Sequence, residues 1–140
     1  VWDTTSIPDG KYEVMLKATD KMGNPAGEEE EDTEISEPFV IDNTPPVVSD
    51  LSFRKINGGA VEITGVAEDS ASIISTLEYS VDKLEWFPLF PEDRVFDTQV
   101  EKFRFKLEGL EAGRQHLLLI RTRDFVGNTG SSELRISILN

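Results

Sequence analysis

The most abundant ionisable side chains in this sequence are carboxylates. The 140 residues include 27 Asp and Glu, a single His and no Cys. Carboxylates that lie close together could bind a hard cation such as Ca²⁺ or act as general acid and base in glycoside hydrolysis. His116 has no cysteine with which to share a transition metal, so we predict a structural role for it.

No set of nucleophile, base and electrophile can be recognised along the chain. It contains no Gly-x-Ser-x-Gly turn, no glycine-rich phosphate loop and no His-Glu-x-x-His pair. A small β-domain is also not expected to form the large cleft that carboxylate catalysis on a glycan requires. We therefore predict no catalytic residues and no enzymatic activity.

One acidic segment is the run Glu28–Asp32, which is followed by Glu34. Ca²⁺ needs carboxylates that a rigid backbone brings together, and this run lacks the glycine spacing that would do so. Runs of like charge are usually solvated. We predict a charged loop tip between two strands.

A second acidic segment, Asp42-Asn43, precedes Pro45-Pro46 at a predicted junction between domains. Together with Asp20, these side chains could close on a calcium ion. Two prolines fix φ and extend the chain, however, which favours a stiff junction without a metal. We predict no cofactor, and calcium at this junction is the alternative.

The charge of the chain excludes some partners. The net charge of −13 opposes binding to nucleic acid or to an anionic membrane surface. No apolar run approaches the roughly 20 residues of a membrane-spanning helix. The acid excess is greatest in residues 1–44, which carry twelve acidic and three basic side chains.

Short segments rich in Val, Ile, Thr, Tyr and Phe alternate with clusters of Gly, Pro, Asn and Asp, which is typical of an all-β sandwich. The last seven of the predicted strands form a sandwich with strands A, B, C, C′, E, F and G. The predicted strands are Lys11–Thr19, Glu37–Ile41, Val47–Phe53, Ala60–Ala67, Thr76–Val81, Glu85–Leu89, Val100–Leu107, Gln115–Arg123 and Glu133–Leu139.

The chain repeats itself after about a hundred residues. Tyr12 is followed by alternating apolar residues and then by Asp-Lys-Met-Gly-Asn. His116 is followed in the same way by alternating apolar residues and then by Asp-Phe-Val-Gly-Asn. Such a period indicates tandem sandwich domains. Each copy would comprise the corner between strands E and F, strand F itself and the turn between strands F and G. Residues 1–44 are predicted to be the C-terminal half of one domain, and residues 45–140 a complete one. Asp20 and Asp124 are predicted to stabilise the two turns through backbone amides.

These motifs resemble bacterial immunoglobulin-like and fibronectin type III-like domains of exported proteins. The Asp-x-x-Gly-Asn turn, the junction Phe39–Val47 and the Leu77–Asp82 hairpin strand carry the resemblance. It implies an extracytoplasmic structural spacer or interaction module, whose partners are neighbouring domains of the same polypeptide.

Two other functions remain open. One is a calcium- or carbohydrate-binding accessory module, and the other is an accessory domain of an enzyme. Sugar-binding modules stack flat aromatic rings on pyranose faces. The sequence offers few such rings, and we expect Trp86 to pack on the core or its rim.

Strand F predicts a contact surface. If Leu118 and Ile120 face inward, Leu117 and Leu119 must face outward, because successive strand residues alternate. Two leucines on an outer face indicate a contact with another domain or subunit.

The first 44 residues predict a second surface. A two-stranded hairpin is marginal in water, so the inward face formed by Tyr12, Leu16 and Phe39 needs a cover. A short proline hinge limits folding back within one chain, so we predict a homodimer through this hairpin.

Overall fold

The computed structural model describes residues 1–138, and their regular structure is entirely β-strand. The chain divides after Asp42 into two compact units. The strands of the first unit are β1 (Gly10–Tyr12), β2 (Met15–Thr19), β3 (Glu31–Ile35) and β4 (Phe39–Ile41). Those of the second are β5 (Val47–Lys55), β6 (Val61–Glu68), β7 (Ile74–Val81), β8 (Trp86–Leu89), β9 (Val100–Leu107), β10 (Gln115–Asp124) and β11 (Thr129–Ser137).

The second unit has two antiparallel sheets. One contains three strands in the order β5-β6-β9, and the other contains four in the order β11-β10-β7-β8. These are the sheets A-B-E and G-F-C-C′ of an immunoglobulin-like sandwich, as the sequence predicted. Residues 1–138 contain no helix long and apolar enough to cross a membrane.

The two sheets pack on each other through apolar residues that recur at alternate positions along the strands. In β6 the buried residues recur every second position from Val61 to Ala67, which turns one face of the sheet toward the core. Phe103 fills the core opposite Gly65, where an added Cβ would lie 2.4 Å from the phenyl ring. A glycine is therefore required there, and it lets the largest core ring approach the backbone of β6.

The strands of this unit agree closely with the predicted ones. β9 has the predicted bounds, and β5, β7, β10 and β11 begin earlier or end later by a few residues. β8 carries Pro88, and it lies at the edge of its sheet, where a missing backbone N–H is tolerated. Leu139, the predicted end of the last strand, lies outside the described residues.

The first unit consists of two short ladders, β1 with β4 and β2 with β3. The register changes from Tyr12↔Phe39 to Met15↔Ile35, so the segment between β3 and β4 has one residue more than the segment between β1 and β2. The backbone N–H and side-chain oxygen of Ser36 bridge the gap through the carbonyl and amide of Val14, each at 2.9 Å. A single uninterrupted strand Lys11–Thr19 is therefore wrong, because this bulge divides it.

The acidic run also differs from its prediction. Glu31–Ile35 is not part of a loop tip but forms β3, which pairs with β2 along its whole length. All five residues of β3 are exposed. A strand whose two faces both meet water can carry carboxylates without desolvating them, and Lys17 pairs with Glu31 at 2.7 Å. The sequence did not reveal it because strand propensities disfavour Asp and Glu.

Candidate functional site

The candidate site is the outward face of the four-stranded sheet in the second unit. Leu118 and Ile120 in β10 are fully buried, whereas Leu117 and Leu119, which alternate with them along the strand, are half-buried. Alternation along the strand places these two leucines on the face opposite the core. The sequence predicted this pair as an interaction surface.

A cross-strand row extends this face beyond strand β10. Leu119 lies opposite Ser80, and Ser80 lies opposite Trp86 on the edge strand β8. Directly opposed residues share a face of the sheet, so Trp86 faces outward and is 38% exposed. Trp86 was expected on the core or its rim, and it lies on the edge strand, on the face away from the core. We call Leu117, Leu119, Ser80 and Trp86 the outer row.

The arginine beside the outer row holds the tryptophan in place. The guanidinium of Arg121 lies 4.1 Å from the centre of the Trp86 ring, which is a cation–π contact. The same guanidinium donates two hydrogen bonds to Glu78 Oε2, at 2.9 and 2.7 Å. Sequence reasoning missed this contact, because nothing in the spacing of residues 78, 86 and 121 brings them together.

A groove of about 490 Å³ runs along the same strands. Its lining includes Glu78, Pro88, Phe90, Arg121 and Arg123. The groove is therefore lined by apolar side chains and by two guanidinium groups, and that of Arg121 is already bonded to the Glu78 carboxylate.

The β7–β8 hairpin carries a charged cluster. Asp82 and Lys83 have φ values of 54° and 60°, as in the two-residue type I′ turn that joins antiparallel strands. The Asp82 carboxylate accepts hydrogen bonds from Leu117 N at 2.9 Å, His116 Nδ1 at 2.8 Å and an Arg114 guanidinium nitrogen at 2.9 Å. The Leu117 amide and then the His116 ring lower the pKa of Asp82 below its usual value, against the opposing effect of desolvation.

His116 has the structural role that the sequence predicted. Its ring is buried, and Nε2 donates to the Glu111 carbonyl at 3.0 Å while Nδ1 lies 2.8 Å from Asp82. The ring thus ties strand β10 to the preceding loop and to the β7–β8 turn. Both of its ring nitrogens lie within hydrogen-bond distance of acceptors of this unit.

The two repeated turns are held by their aspartates. Asp124 Oδ1 accepts from the amides of Gly127 and Asn128 at 2.7 and 2.9 Å, which confirms its predicted role. Asp20 instead accepts from the Glu30 amide at 2.8 Å and from the Asn24 side chain.

The predicted residues of the first unit form a separate surface. Tyr12 and Phe39 are partly buried, with ring centres 6.5 Å apart, and Trp2 meets Phe39 edge-on at 6.1 Å. Leu16 is 67% exposed. Its cross-strand partner is Glu34, so the apolar residue shares its face with carboxylates of β3.

A family model described as "Bacterial Ig-like domain (group 3)" matches residues 1–89. The chain belongs to this family of bacterial Ig-like domains. The match spans the first unit of the Ig-like chain and the second unit through β8. A search of curated proteins found no match to it. Ig-like domains are generally non-catalytic, so membership indicates a structural or interaction module.

Proposed function

We propose that this Ig-like chain is a non-catalytic spacer and interaction module of a larger extracytoplasmic bacterial protein. Membership of the bacterial Ig-like family carries the proposal. The module works by shape: a sandwich with a closed core separates its neighbours and presents a sheet face to them.

The outer row supports the interaction part of this function. Trp86 is held by Arg121, and Leu117 and Leu119 lie beside it. A rigid aromatic ring loses little conformational entropy on binding, and tryptophan is enriched in protein interfaces, while the two leucines add apolar contact area. We propose a neighbouring domain of the same polypeptide as the partner of this face.

Site-specific crosslinking in the parent protein tests this function. A photo-reactive residue at Leu119 should crosslink to a neighbouring domain, whereas the same residue at Lys55, exposed on the other sheet, should not. Protease added to intact cells should cleave the parent protein if the module lies outside the cytoplasm. Equal crosslinking from both positions, or from neither, would contradict a contact through the outer row.

A further inference from the structure

Two buried carboxylates come together in the second unit. Asp69 follows strand β6 and Asp124 ends strand β10, and the two are 8% and 1% exposed. Their oxygens lie within 4.8 Å of each other. Two negative charges at this separation repel each other strongly when water is largely excluded.

Backbone amides hold both carboxylates in these positions. Asp69 Oδ1 accepts from the amides of Ala71 and Ser72, both at 2.8 Å. Asp124 Oδ1 is held in the same way by the two amides of its own turn. Neither side chain can rotate away from the other without breaking two hydrogen bonds.

One oxygen of this pair has no hydrogen-bond partner. Asp69 Oδ2 is buried and has no hydrogen-bond partner, and the carboxylate to which it belongs has an oxygen within 4.8 Å of an oxygen of Asp124. Leaving a buried charged acceptor unsatisfied is costly. The ion pairs within residues 1–138 include neither carboxylate, so no protein cation offsets the charge.

We propose that Asp69 and Asp124 bind a calcium ion between the β6–β7 loop and the end of β10. Both ligands are carboxylate oxygens, which suit a hard cation. An ion about 2.3 to 2.6 Å from each oxygen can bridge oxygens up to about 5 Å apart, whereas Mg²⁺ at about 2.1 Å spans roughly 4 Å. A bound ion would lock two loops of the sandwich together.

Thermal melting of the 140-residue chain with EDTA or with CaCl₂ tests the proposal. Calorimetric titration should give a stoichiometry of one and a Kd. At free calcium about tenfold above that Kd, the Tm of the second unit should rise by about 6 to 11 °C. The same concentration of MgCl₂ should give a clearly smaller shift.

Asp69→Asn is the informative variant, because an asparagine oxygen can still accept from the amides of Ala71 and Ser72. Its NH₂ group replaces the unpaired oxygen, and the substitution removes one of the two neighbouring negative charges. We expect this variant to melt at or above the wild-type temperature in EDTA and to show no calcium shift.

Asp20→Asn is the matched control, since Asp20 occupies the same Asp-x-x-Gly-Asn motif but is exposed. It should retain the full calcium response. The proposal is overturned if calcium leaves the wild-type Tm unchanged, if Asp69→Asn responds like the wild type, or if Asp20→Asn loses the response. An equal shift with Mg²⁺ would overturn the choice of calcium.

Discussion

Residues 12–24 and 116–128 carry the same sequence pattern in different surroundings. In each copy an aromatic side chain donates a hydrogen bond to a carbonyl that precedes it in the sequence. The Tyr12 hydroxyl donates to the Pro8 carbonyl at 2.8 Å, and His116 Nε2 donates to the Glu111 carbonyl at 3.0 Å. The sequence separation is four residues in the first copy and five in the second, which accommodates the one-residue insertion. A histidine thus replaces the tyrosine of the corner without loss of its hydrogen bond.

The two copies differ in how deeply their apolar residues are buried. Leu118 and Ile120 are fully buried, whereas their counterparts Val14 and Leu16 are 46% and 67% exposed. The second copy has a facing sheet within its own unit, whereas the strands of residues 1–42 form two two-stranded ladders. The residues of the pattern are therefore enough to form the corner and the turn. Whether the apolar residues of the same strand are buried in a core depends on strands elsewhere in the sequence.

The largest expected difference concerns the matched apolar positions. Ile120→Ala should lower the free energy of unfolding of the second unit by about 2 to 5 kcal/mol, because it opens a cavity in a closed core. Leu16→Ala should change stability by less than about 0.5 kcal/mol, because its side chain is mostly hydrated. Urea denaturation followed by circular dichroism measures both. Equal costs would show that the two strands have equivalent surroundings.

The two corners should differ in their response to acid. Because the folded-state pKa of Asp82 is lowered, its ionised form stabilises the fold above the usual carboxyl pKa of about 4, and this stability is lost as pH falls through the lowered value. Asp82→Asn should cost about 1.5 kcal/mol at neutral pH, and its difference from wild type should shrink below about pH 4.

Tyr12→Phe is the comparison for the first corner. It removes a hydrogen bond between neutral groups, so its cost of about 0.5 to 1.5 kcal/mol should be the same at pH 3 and pH 7. Urea midpoints at both pH values measure the two variants. An acid-insensitive difference for Asp82→Asn would contradict the assigned ionisation.

The smallest expected effect is self-association through the first unit. The predicted homodimer would cover Tyr12, Leu16 and Phe39, yet it would also bring Glu34 and its copy together. We therefore expect sedimentation velocity to show a dimer fraction that rises with NaCl as repulsion is screened. Leu16→Asp should abolish the dimer, and Leu117→Asp should leave it unchanged. A monomer at every salt concentration would contradict this prediction.

Much of the fold could be read from local patterns. Period-two alternation located the strands of the sandwich, and the repeat located strand F and its turn in both copies. The β3 strand was missed because its residues satisfy no apolar alternation; it is held by backbone pairing with β2 and by charge contacts such as Lys17–Glu31.

The candidate site was predicted only in part. Alternation was enough to place Leu117 and Leu119 on one face, since this needs only the strand itself. Trp86 lies on the same face because of the register of β8 with β7, and the position of Arg121 follows from the register of β10 with β7. Strand register across a sheet depends on long-range pairing, which no spacing within one segment reveals.

The sequence by itself determined the fold class, the corners and the Asp-x-x-Gly-Asn turns, because each depends on residues a few positions apart. Only the tertiary structure decided which repeated aspartate is buried and which lies in water. Asp124 is enclosed and lies beside Asp69 from a loop more than fifty residues earlier, whereas Asp20 is exposed and accepts from the Glu30 amide of its own hairpin. Hydrogen bonds within a turn are local, but burial and the meeting of distant carboxylates depend on how the two sheets pack.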